Sequence, residues 1–410
     1  MPGKSKRPVR RGTGPKRAPS KRALKSLERA WRRFWIADIT ALLRAATPRG
    51  AGAAWPWEPR PRRILFLRHD RIGDMIVSTG LIRAIARSHP GVVVDVLASP
   101  ANAPVVRGDP AVGRVVVFDR SRPSRFAGLA RRLRAARYDA VVDCMPTAPS
   151  LTTLLLMLAS GARHRIGVAG RGNDDALTVA VPPRPGARHI IDHLSALAAP
   201  FGVDVGATDF SPVLVLDADE RAVADGLWRS RAGPGASRGR RLLVNVSAGK
   251  TARRWPDERF VEVLAGVRRR LPDVGTLVIG GPAERARAAA IAHAAGAGLA
   301  EPADIRSAFA LVATADALLT PDTGIGHAAC ALRTPAVVMF LRDKATLWGL
   351  YGTPGHSLES ADGTLASLPV EPVLAALTDV LRPSAAALAD VAADDGRVAA
   401  RVDTASEQRR

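Results

Sequence analysis

Between residues 63 and 340, short apolar runs alternate with segments of helix length and amphipathic spacing. That is the texture of βαβ units, whose parallel strands are buried on both faces and read as continuous Val/Ile/Leu runs. The runs predict strands over 64–67, 92–97, 115–118, 140–143 and 165–168. Helices are expected over 74–88, 102–107, 124–137 and 150–160, with a last one of this series ending over 193–201. Residues 213–216 read as a short extended piece and 218–231 as a helix. A second series follows, with strands over 242–246, 276–279, 317–320 and 336–340. Its helices fall over 257–271, 283–295, 304–313 and 326–332, and a final helix over 370–381 comes after a loop-rich stretch. The pattern predicts two α/β units, a front one over 62–235 and a rear one over 236–382. In doubly wound sheets, ligands bind beyond the carboxyl ends of the strands. The loops after Leu67, Val246, Ile279 and Thr320 are therefore the places to look.

Outside these units the texture differs. Residues 1–23 are rich in Lys, Arg, Pro and Gly and are expected to be disordered. Residues 47–61 read as a linker, and 383–410, without periodicity, as a flexible tail. Over 24–46, Leu24, Leu27, Trp31, Phe34, Trp35, Ile39, Leu42 and Leu43 recur at three- and four-residue spacing, with Arg29, Arg32, Arg33 and Arg44 around them. That is a basic amphipathic helix, and an anionic membrane surface is its favoured partner. A helix docked on its own domain, or on another protein, is the alternative. Residues 1–50 hold 15 Lys/Arg against Glu28 and Asp38, so +13 of the +22 net charge sits there. Residues 1–23 lack interleaved aromatics and no RNA or DNA motif appears, which argues against nucleic acid.

The composition of the whole chain, 47% hydrophobic and 24% charged, is that expected of a soluble globular protein. No apolar stretch reaches the 18 or more residues of a spanning helix, and no secretory h-region opens the chain. The expected location is the cytoplasm, peripheral on the inner face of the inner membrane. Cys144 and Cys330 each lie in an apolar run and read as buried free thiols.

Three stretches carry candidate chemistry. In RRILFLRHDRIGDMIVSTGLIRAI (62–85) a strand runs into the loop Arg68–Gly73, and a helix opens at Asp74. Gly73 permits close backbone approach. Asp74, ionised beside a helix N-terminus, suits a general base, although a helix cap is the simpler role. In LLVNVSAGKTARRWPDERF (242–260) a loop with Ser247, Lys250, Arg253 and Arg254 precedes a helix, a setting for a diphosphate. A Walker A pattern is absent, and Trp255 reads as a packing anchor. In TPDTGIGHAACALRTPAVVMF (320–340) the amides of Thr323 and Gly324 suit phosphate oxygens, while Asp322 and His327 suit a hydroxyl, a phosphate or the sugar. A weaker fourth stretch, VIGGPAERARA (278–288), places Glu284 after a strand, where an acid can hold ribose hydroxyls. The histidines are scattered, and Asp217-x-Asp219 falls between the units, so neither metal nor cofactor is expected.

Taken in series, these stretches resemble the heptosyltransferase family, glycosyltransferase family 9, over about residues 62–350. Ile64, Leu65, Arg68, Gly73 and Asp74 match its opening strand–loop–helix, SAGKTARRWPDERF its K-x-W-P-x-E stretch, and DTGIGHAACALRTPAVVMF its D-(S/T)-G-x-x-H stretch. The resemblance implies a GT-B fold, two facing Rossmann-like domains with the acceptor domain in front and the nucleotide-sugar domain behind. It implies inverting, metal-independent transfer of a sugar from a nucleotide-sugar, with ADP-heptose the leading donor, to a lipopolysaccharide-type glycolipid. Asp74 then matches the base. Ser247, Lys250, Arg253, Glu284, Asp322, Thr323, Gly324 and His327 fall on the donor side, and Arg68, Arg71 and Gly73 on the acceptor-side loop. Two departures stand out: Arg253 occupies the family's lysine position, and Gly326 replaces the Met or Ser common before the histidine. The rivals are a GT-B transferase using another donor such as a UDP-sugar, and a non-catalytic basic protein binding membrane or nucleic acid.

Overall fold

The structure, a computed structural model, describes residues 35–45, 60–145, 150–232 and 239–382. The expected tails, the start of the 24–46 helix and most of the 47–61 linker lie outside the described residues. The front sheet contains β1 (Arg63–Arg68), β2 (Val93–Ala98), β3 (Val115–Val117), β4 (Ala140–Asp143), β5 (His164–Val168) and β6 (Val179–Val181). The rear sheet contains β7 (Arg241–Asn245), β8 (Gly275–Ile279), β9 (Gly298–Leu299), β10 (Ala317–Pro321), β11 (Ala336–Phe340) and β12 (Gly355–Glu359). The orders are β3-β2-β1-β4-β5-β6 and β12-β11-β10-β7-β8-β9. All the pairings are parallel. Counted from the first strand of each unit, the two orders are the same doubly wound one.

A helix over 35–45, α1, precedes the front sheet. The front helices are α2 (Ile72–Ile76), α3 (Thr79–Ala86), α4 (Phe126–Ala135), α5 (Leu151–Ser160) and α6 (Ile190–Ser195), and α7 (Ala218–Arg231) follows the crossover. The rear helices are α8 (Asp257–Arg270), α9 (Arg285–Ala295), α10 (Ile305–Ala313), α11 (Gly324–Leu332), α12 (Ala345–Trp348) and α13 (Val370–Leu381). One apolar core joins the domains: Met75, Ile76 and Phe210 share it with Phe309, Ile325 and Ala328. Two further cores fill the outer faces, one around Trp255 and Phe260 behind, the other around Leu65, Leu129 and Leu154 in front.

The structure corrects several expectations. The helix expected over 74–88 is two helices, and Asp74 is the third residue of the first, not its opening residue. The break has a local cause. Ser78 Oγ donates to Asp74 O at 2.8 Å and Thr79 Oγ1 to Ile76 O at 2.8 Å, so hydroxyls take carbonyls that a continuous helix would use. Gly80 then passes so close to the crossover that a Cβ would lie 2.1 Å from Phe210 O. The expected helix over 102–107 is a 3₁₀ turn at Ala103–Val106. The one ending over 193–201 is α6 followed by a 3₁₀ turn, Ala196–Phe201. Residues 213–216 join no sheet; instead Val213 N donates to Thr79 Oγ1 at 2.8 Å. The last long rear helix before the loop-rich stretch starts at Gly324, not at residue 326. Strands β6, β9 and β12 went unread because they are short or at the sheet edges. Helix α7, within 62–235, packs on the rear domain, where Trp228 Nε1 donates to Thr314 Oγ1 at 3.0 Å.

Helix α1 corrects the 24–46 expectation in part. Ile39 and Leu43 are buried in the outer front core, and Arg165 Nη2 donates to Leu43 O at 3.1 Å. This face docks on the chain's own domain and not on lipid. Trp35 and Leu42 remain 42% and 56% exposed. No helix among the described residues is long and apolar enough to cross a membrane.

Candidate active site

The site lies where the carboxyl ends of the two sheets meet. The loop after β1 is held by its neighbours rather than by itself. Asn102 Nδ2 donates to Arg68 O at 3.0 Å and Arg71 O at 3.4 Å, while Asn102 itself is fully buried. Arg68 is equally buried; its Nε donates to Asp74 O at 2.8 Å and its Nη1 to Cys144 O. The same guanidinium lies 3.6 Å from Asp74 Oδ1 and 3.5 Å from Asp70 Oδ1. Arg68, expected on the acceptor-side loop, closes β1 where that loop begins and is buried within the front domain. Arg71, by contrast, is exposed at the start of α2.

Around Arg68 stand three carboxylates. Burial pushes Asp70 up to about 6, partly offset by Arg68, and Asp143 at the end of β4 also up to about 6. Asp143 accepts from Met145 N at 3.0 Å and from Asn173 Nδ2 at 3.4 Å. His69 points the other way: Arg120 Nη2 donates to its Nδ1 at 2.8 Å, and burial with the nearby Arg120 charge lowers it to about 4. His69 is thus a neutral packing and hydrogen-bonding group at physiological pH.

In the rear domain, Asn245 ends β7 and ties two loops together. Its Nδ2 donates to Thr320 Oγ1 at 2.9 Å and Thr323 Oγ1 at 3.2 Å, and its Oδ1 accepts from Ser247 N at 3.2 Å. Ser247 Oγ in turn accepts from Gly281 N at 2.7 Å. Thr323 is the N-cap residue of α11 with extended backbone, so the first amides of that helix, including Gly324, open the cleft wall. Asp322 is mostly buried and paired to Arg253: Nη1 lies 3.0 Å from Asp322 Oδ2 and donates to Asp322 O at 3.0 Å. Arg253, expected to face a diphosphate, is anchored first to its own domain's acid. Lys250 is exposed on the same loop. Glu284, expected to hold a ribose, is buried, and both its oxygens accept from Ala248 N at 3.2 Å, with Arg254 Nη2 at 3.5 Å. Trp255 is wholly buried and donates from Nε1 to Leu368 O at 2.9 Å, the anchor its sequence context suggested.

Glycines bring the halves together. A Cβ on Gly73 would lie 2.6 Å from the His327 ring, and one on Gly324 would lie 3.1 Å from Ile72 Cγ2 and 3.3 Å from Gly73 N. Helices α2 and α11 can meet start to start only without those side chains. Buried His327 is held below its usual value by desolvation, a fall opposed by the charges of Asp322 and Asp74. Asp74 of the front and Asp322 of the rear thus act on one imidazole. Of the expected site residues, Gly73, Asp74, Asp322, Thr323, Gly324 and His327 converge here. Ser247 and Glu284 lock the neighbouring loops instead, and Lys250 stands outside. The sequence reading missed Asn102, Asp143 and Asn245. A buried polar residue at the carboxyl end of an apolar strand, as in VVDC and LLVN, was the available signal.

Comparison with known proteins bears on the family and the fold. Residues 126–364 match the family "Glycosyltransferase family 9 (heptosyltransferase)". Lipopolysaccharide heptosyltransferase 2 of Escherichia coli (strain K12) is 25% identical over 295 residues, covering 68% of this chain and 82% of that protein. The crystal structure of a family 9 glycosyltransferase from Veillonella parvula superposes with a TM-score of 0.69 at 18% identity, covering 78% of this chain and 97% of that one. E. coli heptosyltransferase WaaC with ADP-2-deoxy-2-fluoro heptose superposes at 0.62 and 17% identity, covering 77% and 99%. With two doubly wound domains meeting through α2 and α11 and a family match over more than half its length, the chain is a GT-B glycosyltransferase belonging to glycosyltransferase family 9.

Proposed function

We propose that this glycosyltransferase moves a heptose from ADP-heptose to a lipopolysaccharide-type acceptor, with inversion at the anomeric carbon and without a metal ion. The observation that supports the assignment is the close approach of Gly73 to His327 and Gly324, with the charges of Asp74 and Asp322 both acting on His327. The acceptor hydroxyl gives its proton to Asp74 as its oxygen bonds to the anomeric carbon. The bond from that carbon to the diphosphate oxygen breaks, and the electron pair leaves with the diphosphate. The first amides of α11 and the Arg253 guanidinium meet the developing charge, an electrostatic role that preorganised donors fill well. The curated relative named above is a heptosyltransferase, and a solved neighbour carries an ADP-heptose analogue; both favour this donor.

The same assignment places the enzyme in the cytoplasm against the inner face of the inner membrane, where a lipid-linked acceptor is presented. The +13 charge of residues 1–50 favours an anionic surface. The test is a thermal-shift series with ADP, UDP and GDP, followed by an ADP-release assay with ADP-heptose and acceptor. A ligand at 100 times its Kd stabilises the folded state by about 2.7 kcal/mol, so ADP should raise Tm clearly. A shift with UDP alone would reassign the donor.

A further inference from the structure

We infer that Arg306 of the rear domain is a positioning residue for Asp74, acting through the 3₁₀ turn at Ala103–Val106 and through Asn102. The inference rests on the assignment of Asp74 as the base. Arg306 is the second residue of α10 and is only 3% exposed, and its guanidinium reaches three parts of the chain. On the rear side, where α7 packs on α10, Nε donates to Glu220 Oε1 and Nη2 to Glu220 Oε2 at 2.5 Å. In the crossover, Nη2 donates to Val215 O at 2.8 Å. Toward the front domain, Nη1 donates to Pro104 O at 3.0 Å and to Arg107 O at 3.3 Å. A buried guanidinium needs its charge paired and its N–H groups filled, and these contacts supply both. The hydrogen bond from Arg306 holds Glu220 down at about 2, so the pair stays ionised through the physiological range. Arg107 Nη2 adds a link from the front domain to Glu220 at 3.1 Å.

Pro104 lies inside the 3₁₀ turn and Arg107 closes it, so Arg306 grips the turn from the opposite domain. Val105 and Val106 are buried in the core that joins the domains, and a packed core resists a shift of the turn by itself. Asn102 opens the same turn. Its Oδ1 accepts from Ser99 N at 2.8 Å, which leaves Nδ2 to donate to Arg68 O and Arg71 O in the loop before the base. Asp74 follows Arg71 by three residues. The rear-domain arginine thus seats the turn, the turn seats Asn102, and Asn102 seats two points of the loop that carries Asp74. A misplacement of about 1 Å at the reacting groups can cost roughly 100-fold in rate, so such seating reaches the chemistry.

The experiment measures kcat with ADP-heptose and acceptor, and Kd for ADP, in Arg306→Lys, Asn102→Ala and the double variant. Lysine keeps a cation beside Glu220, but one ammonium cannot also span Val215 O and both carbonyls of the turn. Each single variant should lower kcat about three- to thirtyfold, with ADP Kd within about twofold. The double variant should fall no further than the worse single one, because both changes break one chain of contacts. Tyr351→Phe is the control. Tyr351 OH donates to Asp192 Oδ1 at 3.0 Å, and beside it His189 Nε2 donates to Gly349 O at 3.1 Å, a second bridge between the domains that uses α6 and not the turn. Its loss should leave kcat within about twofold. Losses that multiply in the double variant would overturn the inference. So would unchanged kcat in either single variant, an equal loss in Tyr351→Phe, or an Arg306→Lys chain that fails to fold, which would make Arg306 cement and nothing more. Full turnover in Asp74→Asn would instead remove the base assignment itself.

Discussion

The two sheets share one strand order but load their carboxyl ends with opposite chemistry. The front ends carry charge: Arg68 at the close of β1, Asp143 at the close of β4, and Asp70 and Asp74 just beyond. The rear ends carry neutral groups: Asn245 closes β7, and Thr320 and Thr323 flank the end of β10. Two acids near that rear edge are each paired to an arginine, Asp322 to Arg253 at 3.0 Å and Glu284 to Arg254 at 3.5 Å. A buried charge is costly unless paired, so this separation is not a by-product of a shared fold. Amides, hydroxyls and a helix start suit a leaving diphosphate, which unpaired carboxylates would repel. Carboxylates around one guanidinium suit the proton uptake proposed for the front domain. On the proposed mechanism, proton handling and anion handling would sit on separate frames that meet at Gly73 and Gly324.

The sharpest break in that division comes from Asp74→Asn. If the front domain handles the proton alone, turnover should fall about 10²- to 10⁴-fold, the usual share of a general base. ADP affinity, which the proposal assigns to the rear domain, should stay within about twofold. Steady-state assays and calorimetry check both numbers. A variant that keeps its turnover would dissolve the distinction between the halves.

The rear half is tested by Arg253→Ala. On the proposed role, its removal would take a cation from the diphosphate as well as leave the mostly buried Asp322 unpaired, so two penalties would act in one direction. Truncating one partner of such a pair costs about 2 kcal/mol or more, so ADP should bind roughly thirtyfold more weakly. Lys250→Ala, on the exposed part of the same loop, should change ADP affinity by no more than about twofold. Equal losses in the two variants would mean that loop charge, and not the Arg253–Asp322 geometry, sets nucleotide affinity.

These differences trace how much the chain revealed in advance. Both α/β units, and the convergence of Asp74 with Asp322, Thr323, Gly324 and His327, were legible because apolar runs and motif order are local signals. The ties of Arg68 and Glu284 within their own domains were not. Both look like free functional charges in the sequence, and only the packing of β1 against β4, and of Ala248 against Glu284, shows them tied into their own domains. His189 and Tyr351 lie 162 residues apart and become neighbours only when the domains dock. The docked face of α1 was hidden for a related reason, since an amphipathic stripe does not say whether its partner is lipid or protein.

The smallest effect concerns Asp143, which contributes charge to the front domain without facing the cleft's rear half. Burial lifts its folded-state value to about 6, whereas an unfolded carboxyl titrates near 3.9. Between these values the folded chain holds a proton that the unfolded chain has lost. Its contribution to stability therefore falls as pH rises through about 4 to 6, and the full penalty remains at pH 8. Asn imitates the protonated form at every pH. Asp143→Asn should thus stabilise the chain by about 1–2 kcal/mol at pH 8 and hardly at all at pH 4. Buried His69 and His189, both held down at about 4, push the parent's own profile in the opposite direction, because the unfolded chain binds their protons first. The difference between variant and parent removes that background. Denaturant unfolding of both chains at the two pH values measures it. Equal stabilisation at pH 4 and pH 8 would assign the gain to packing, and the front domain would no longer be the half that keeps buried charge at a cost.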